Sequence, residues 1–154
     1  MQLSSRFPVA VQILIIIAWV PDDYKVTSQV LASSVNTNPV LIRRIMGQLK
    51  NGGLITITPG TGGAQLTRRA EEITLLDVYR AVELTSQDVL FGLHETPNPE
   101  CPIGKRINQV LKPALDQARQ ALEDSLEQVT IEELVASFPS FDADKAEGII
   151  TSSW

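Results

Sequence analysis

Two adjacent arginines, Arg43 and Arg44, lie on the polar side of a segment whose apolar residues recur at helical spacing. At 100° per residue, Leu41, Ile42, Ile45, Met46 and Leu49 share one side, while Val40, Arg43, Arg44 and Gly47 face the other. A guanidinium is a planar fork that donates two bonds at once, and that fork matches guanine edges and phosphates. The chemistry open to this pair is therefore recognition of nucleic acid; the plainer alternative is a solvated charged face. Two other residues have reactive potential. Cys101 is the only cysteine and His94 the only histidine, and both fall in a segment punctuated by Pro97, Pro99 and Pro102. The chain carries no paired carboxylates, nucleophile–base arrangement or metal motif that would support an enzyme.

The elements that must position the arginines are legible around them. Val26, Val30, Leu31 and Val35 place apolar side chains on one face of a first short helix, with Thr27 as its N-cap and Ala32 small enough for a close crossing. Asn36 falls in the turn, where a left-handed backbone is needed and Asn tolerates it. Asn38 caps the second helix, and Pro39 suits its first position because the missing N–H would be unpaired there anyway. Gly52 and Gly53 end that helix. Leu54 to Thr58 and Ala64 to Thr67 then alternate as two strands around Pro59-Gly60-Thr61-Gly62-Gly63, a hairpin with a glycine-rich tip. The tip is no nucleotide loop, since no Gly-Lys-Ser/Thr follows and it opens no helix. Arg68 and Arg69, leaving the hairpin, are placed to hold phosphates. Helix, turn, helix and hairpin in this order predict a winged helix-turn-helix: a mostly α fold with a small β-hairpin wing.

Charge distribution fits that reading better than the total does. The chain of 154 residues has a formal net charge of −5. Residues 1–70, however, hold seven basic against two acidic side chains, a net of +5, and residues 71–154 hold six against sixteen, a net of −10. A basic front half can track phosphates while an acidic back half stays clear of them. A single cysteine excludes an intramolecular disulfide and fits a reducing cytoplasm. The long apolar run, residues 9–20, is shorter than the ~20 residues a membrane-spanning helix needs and is followed by no clean cleavage site. It is predicted to be the first helix of the winged domain, apolar nearly all round because it is buried, with Trp19 in the core.

In the back half, Thr74-Leu75-Leu76-Asp77 has the form of a capping box opening a linking helix that runs to about Leu84. Residues 85–102 read as a loop. From Ile103 to about Val129 runs the longest helical pattern, in which Leu111, Ala114, Ala118, Ala121 and Ser125 step by three and four and Leu115, Leu122 and Val129 form a second row at sevens. That is a seam of the coiled-coil kind, and its small residues allow a second chain to come close. Pro113 predicts a kink or a break. Residues 130–136 form a short amphipathic helix, and 137–154 are a tail with no assigned structure. The predicted organisation is a winged domain with its linking helix over 1–84, a sensor-type loop over 85–102, a dimerisation helix and short helix over 103–136, and the tail.

Met1-Gln-Leu-Ser-Ser-Arg-Phe7 at the start, Gly60-Thr-Gly-Gly63 in the wing and Glu72-Ile-Thr-Leu-Leu-Asp-Val-Tyr-Arg-Ala-Val-Glu83 together resemble the Rrf2 family of bacterial transcription regulators, which includes the IscR, NsrR and CymR types. Asn98-Pro-Glu-Cys-Pro-Ile-Gly104 resembles its YwnA-like branch. The resemblance implies a cytoplasmic homodimer, joined through the 103–129 helix, that binds a palindromic operator in double-stranded DNA and usually represses. It also implies a recognition helix over 38–50 and a wing tip over 59–63. The residues expected at the duplex are Thr27, Ser28, Asn38, Pro39, Val40, Arg43, Arg44, Gln48, Gly60, Thr61, Gly62, Gly63 and Arg68. The alternative is a winged protein-interaction module that has lost DNA binding.

Cluster-binding members of the family place three cysteines in the loop, where this chain has only Cys101, so no cofactor is expected and an iron–sulfur cluster is disfavoured. Cys101 precedes Pro102 at the expected first turn of the long helix. There the helix dipole, Lys105 and Arg106 favour the thiolate, while Glu95 and Glu100 oppose it. A redox-sensing thiol, a metal held by His94 and Cys101 across a dimer, a small effector held between the winged domain and the long helix, and a spectator cysteine all remain open on the sequence.

Overall fold

A computed structural model describes residues 4–60, 63–83 and 90–150, with residues 147–150 described by backbone alone. Helix α1 (Arg6–Trp19) forms the floor of the winged half. Its Ala10, Ile13, Leu14 and Ile17 are buried. Val9, Val11, Ile15, Ile16 and Trp19 pack as half-buried residues around them, so the helix is apolar on most sides but fully enclosed on only one. Pro8 lies within the first turn, where a missing N–H does no harm. Helices α2 (Ser28–Val35) and α3 (Pro39–Asn51) form the helix-turn-helix. Thr27 caps α2 by accepting from the Val30 N–H at 3.3 Å. Asn36 turns the chain at φ 57°, ψ 52°, and Asn38 caps α3 by accepting from the Val40 N–H at 2.8 Å. Leu31, Ile42, Ile45 and Leu49 are fully buried and set the crossing of the two helices on α1. Truncating any of them to Ala costs about 2–5 kcal/mol.

Strands β1 (Ile55–Thr58) and β2 (Gly63–Leu66) pair antiparallel with Ile55 opposite Leu66 and Thr58 opposite Gly63. The Ala64 N–H also donates to the Val26 carbonyl at 2.9 Å, which ties the hairpin to the start of α2. Gly63 makes that approach feasible. Its φ is +72°, and a Cβ there would stand 3.0 Å from both the N and the O of Val26. A 3₁₀ turn (Ala70–Glu72) leads into α4 (Leu75–Val82). The capping box of α4 is formed as expected, with Thr74 N–H to Asp77 Oδ2 at 3.0 Å and Asp77 N–H to Thr74 Oγ1 at 3.2 Å.

Helix α5 (Ile107–Glu127) starts four residues later than the sequence pattern suggests. Residues 101–106 instead form consecutive turns, with the N–H groups of Ile103 and Gly104 directed at the Cys101 sulfur rather than entering a helix. Pro113 does not break α5, which is continuous through it. The Ile131 N–H donates to the Ile73 carbonyl and the Leu75 N–H to the Val129 carbonyl, both at 2.9 Å, so the end of α5 and α6 (Ile131–Val135) are stitched to the start of α4. The described part of the tail, residues 137–150, folds back onto the winged half. Trp19 Nε1 donates to the Pro139 carbonyl at 2.7 Å, Phe141 packs against the rings of Trp19 and Tyr24, and α7 (Ala143–Ile150) lies on α2. Trp19 is therefore a half-buried clamp for the tail rather than a core residue; Leu84 and Trp154 lie outside the described residues. Among the described residues no helix is long and apolar enough to cross a membrane.

Candidate nucleic-acid interface

The outward side of α3 is built by its buried side. With Ile42, Ile45, Met46 and Leu49 turned into the core, Val40, Arg43, Arg44 and Gly47 point away from it. Arg43 and Arg44 are exposed, and neither enters an ion pair among the described residues. Val40 is 65% exposed, a large apolar side chain left in water beside two guanidinium groups. Asn38 is exposed and Pro39 half-buried at the start of the helix. Gln48 sits at the flank, half-buried, with its Oε1 buried and lacking a hydrogen-bond partner among the described residues. Its carbonyl thus faces the protein, not an outer surface.

Beside α3 the wing completes a crevice. Thr27 and Ser28 at the start of α2, Arg43 and Met46 of α3, and Thr58, Gly60 and Gly63 of the hairpin line it together. The crevice thus brings the start of a helix, whose first N–H groups are hydrogen-bond donors, beside an arginine. Thr61 and Gly62 of the expected wing tip lie outside the described residues. Arg68 and Arg69 are not free, contrary to the expectation from sequence. The Arg68 guanidinium pairs with Asp77 Oδ2 at 3.0 Å, and its Nε donates to the Glu72 carbonyl at 3.3 Å. Arg69 pairs with Glu71. Both carboxylates lie in the segment that opens α4, and no local pattern in the hairpin signals them.

In the loop, Cys101 is half-buried. Hydrogen bonds from the N–H groups of Gly104 and then Ile103 hold its thiol below the usual thiol range. The cause differs from the expected one, since Cys101 does not stand at the N-terminus of α5, and Lys105 and Arg106 play no part in the shift. The His94 side chain is exposed, and its backbone carbonyl accepts from Asn108 Nδ2 at 2.9 Å, which anchors the loop to α5. Among the described residues no three His, Cys, Asp or Glu side chains are grouped to hold a metal ion. One thiol with no neighbouring ligand set does not fit an iron–sulfur cluster.

Along α5 the two apolar rows separate. Leu111, Ala114, Ala118, Ala121 and Ser125 are exposed, Val110 beside them is 68% exposed, and the helix has no buried residue. Leu115 and Leu122 are half-buried on the side toward the chain's own domain.

Comparison with known proteins agrees with this geometry. Residues 3–137 match the Rrf2 family model, described as an iron-dependent transcriptional regulator. The chain is 39% identical over 133 residues to YwnA of Bacillus subtilis strain 168, named an HTH-type transcriptional regulator, an overlap of 86% of this chain and 96% of that one. A solved structure described as a DNA-binding protein is 35% identical, covers 84% of this chain and 98% of its own, and superposes with a TM-score of 0.69. The structure of CymR, the global cysteine regulator of Bacillus subtilis, is similar in fold, with a TM-score of 0.64 at 21% identity over 90% of this chain and 99% of its own.

Proposed function

We propose that this chain, which belongs to the Rrf2 family and is a DNA-binding transcription regulator, acts as a homodimeric repressor in the cytoplasm, reading a palindromic operator without an iron–sulfur cluster and without catalysis. The observation that carries the reading is the outward face of α3, where Arg43 and Arg44 lack ion pairs among the described residues and stand beside exposed Val40 and the wing crevice. On this reading α3 enters the major groove. Arg43 or Arg44 forks onto a guanine edge, Val40 meets a thymine methyl, and the start of α2 with Thr27, Ser28 and the wing glycines holds the flanking phosphates. Arg68 plays a supporting part, since its guanidinium is already engaged by Asp77. The exposed row on α5 supports pairing with a second copy, which would set two recognition helices on successive major grooves about 34–36 Å apart.

Arg43→Ala and Arg44→Ala test this on a duplex recovered by genomic footprinting. Each is expected to weaken binding by about 1–3 kcal/mol where the side chain forks onto a base, with the fold unchanged because both side chains are exposed. Unchanged affinity in both variants at moderate salt overturns the assignment of α3 and leaves the winged protein-interaction module.

One observation favours a sensing role for Cys101. Two backbone N–H groups are directed at its sulfur, and the residue is partly open to solvent. The thiolate would attack a peroxide oxygen, forming an S–O bond as the O–O bond breaks and hydroxide leaves, so that sulfur is oxidised to sulfenic acid and the peroxide is reduced. Peroxide should then change operator affinity in the wild type but not in Cys101→Ser, and an identical response in both ends the idea.

A further inference from the structure

Helix α4 meets the end of α3 and also packs on α5. Gly52, at the end of α3, has φ −74° and ψ −2°, a backbone any residue adopts, so the turn itself does not call for glycine. The space does. A Cβ at Gly52 would stand 2.7 Å from the Cβ of Ala81, well inside the roughly 3.5–4.0 Å at which carbons pack. The end of α3 therefore rests directly on α4, and so close a contact passes on any displacement. Arg80, the residue before Ala81, reaches α5. Its Nη2 lies 3.6 Å from Glu123 Oε2, and Arg119 Nη1 lies 3.7 Å from Glu123 Oε1, so each oxygen of one carboxylate meets a different arginine. The Glu123 side chain is only 13% exposed, whereas both arginines are exposed. A carboxylate withdrawn from water needs its counter-charges, and Arg80 is the one supplied by another helix. The far end of α5 is tied to the start of α4 by backbone, through the Leu75 N–H and the Val129 carbonyl at 2.9 Å. A pivot at Val129 and a grip at Glu123 together set the angle at which α5 leaves the winged half. They lie about 9 Å apart along the helix, whereas exposed Val110 is about 28 Å from the pivot. A shift of about 1 Å at Glu123 thus becomes about 3 Å at Val110, close to the roughly 3.4 Å rise of one base pair.

We propose that Glu123 is a positioning residue for operator recognition: gripped by Arg80 of α4 and Arg119 of α5, it fixes the angle between α5 and the winged half, and thereby the half-site separation that the dimer accepts. Glu123 acts through α4, whose Ala81 carries the setting to the end of α3. Apolar packing between α4 and α5 is non-directional and holds the helices together without choosing their angle. The charge pair supplies the choice. With Arg80 largely in solvent the pair adds little to stability, so its effect falls on which duplexes fit. In a symmetric dimer both protomers carry the same angle, and a change in it moves both recognition helices at once.

The inference rests on the homodimeric operator reading, and a duplex carrying a single half-site keeps the two apart. Affinity of the full chain is measured for the footprinted operator, for versions with one base pair added or removed between the half-sites, and for the single half-site. The wild type should lose roughly tenfold at either altered spacing, the scale of one mismatched base pair. In Arg80→Ala and in Glu123→Gln that loss should shrink to about threefold or less, with half-site affinity unchanged because the outward face of α3 is intact. Arg80→Lys, which keeps a positive charge opposite Glu123, should retain the wild-type preference. The wild-type preference surviving in both Arg80→Ala and Glu123→Gln overturns the proposal. So does a half-site affinity that falls in step with operator affinity, since the pair would then serve the fold and not the spacing. Arg80→Lys behaving as Arg80→Ala overturns it too, because charge would not be what holds the angle. A wild type that binds no operator, or binds operator and half-site equally, overturns the dimeric operator reading instead.

Discussion

Gly47 offers a substitution whose effects on stability and on DNA binding should have opposite signs. It lies well inside α3, where glycine is about 0.8–1.0 kcal/mol less favourable than alanine. Nothing in the fold calls for that sacrifice, since a Cβ built at Gly47 meets no atom within 4 Å. The neighbours of that empty position are Val40, Arg43 and Arg44, the residues turned away from the core. Gly47→Ala should therefore stabilise the isolated protein by about 0.8–1.0 kcal/mol, read as a higher urea midpoint with an unchanged slope. If the bare backbone at Gly47 is what lets α3 seat deeply in the groove, the added methyl meets the duplex. Overpacking a fitted contact costs about 1–3 kcal/mol, at least a fivefold loss of operator affinity. Unchanged or tighter DNA binding would show that this face does not meet the duplex closely. A fall in stability would show that α3 is not a regular exposed-face helix at this point.

Gly63→Ala should destabilise the fold by about 2–3 kcal/mol, from the left-handed φ of +72° and the 3.0 Å approach to Val26. Gly60→Ala, at φ +78° with nothing within 4 Å, should cost only about 1–2 kcal/mol; equal losses in urea denaturation would refute the close-approach argument. Ala118→Arg places a charge in the middle of the exposed row on α5, so sedimentation should show a dimer for the wild type and a monomer for the variant, with thermal stability of the monomer little changed; the same mass for both would exclude that row as the seam. For Cys101, a thiol held below its ordinary range keeps more thiolate at neutral pH, so the midpoint of its alkylation rate against pH should lie below that of an unstructured cysteine peptide. A midpoint at or above the peptide's would contradict the role given to the Ile103 and Gly104 N–H groups.

What could be read from the residues follows a physical division. The caps at Thr27, Asn38 and Thr74, the left-handed Asn36 and the Thr74–Asp77 box all join groups within three residues of one another or within one backbone unit. Residue type and spacing alone specify such contacts. The faces of α3 and α5 were legible for the same reason, because helical period alone divides them. Contacts closed by the tertiary fold were not legible. Arg68 meets Asp77 across the exit of the hairpin, Gln48 turns its carbonyl inward, and Trp19 donates to a carbonyl 120 residues away. The late start of α5 is an exception to this division: Cys101, Ile103 and Gly104 lie within three residues of one another, yet the apolar pattern from Ile103 onward suits a helix equally well and residue type did not decide between the two.

The division of arginines brings these levels together. Arg6, Arg68, Arg69, Arg80 and Arg119 each lie in an ion pair, and their carboxylate partners all come from residues 71–123, the acidic part of the chain. Arg43 and Arg44, and Arg106 just before α5, have no such partner among the described residues. The back half thus does more than stay away from phosphates. It neutralises the basic side chains that flank the winged half and leaves positive charge on the outward face of α3. On the proposed reading an anionic duplex meets the unpaired arginines of the winged half on one helix, and salt dependence of binding should then report few phosphate contacts. The same partition explains how a chain of net charge −5 can carry a DNA-reading surface: the total counts charges that are already paired, whereas the duplex meets those that are not.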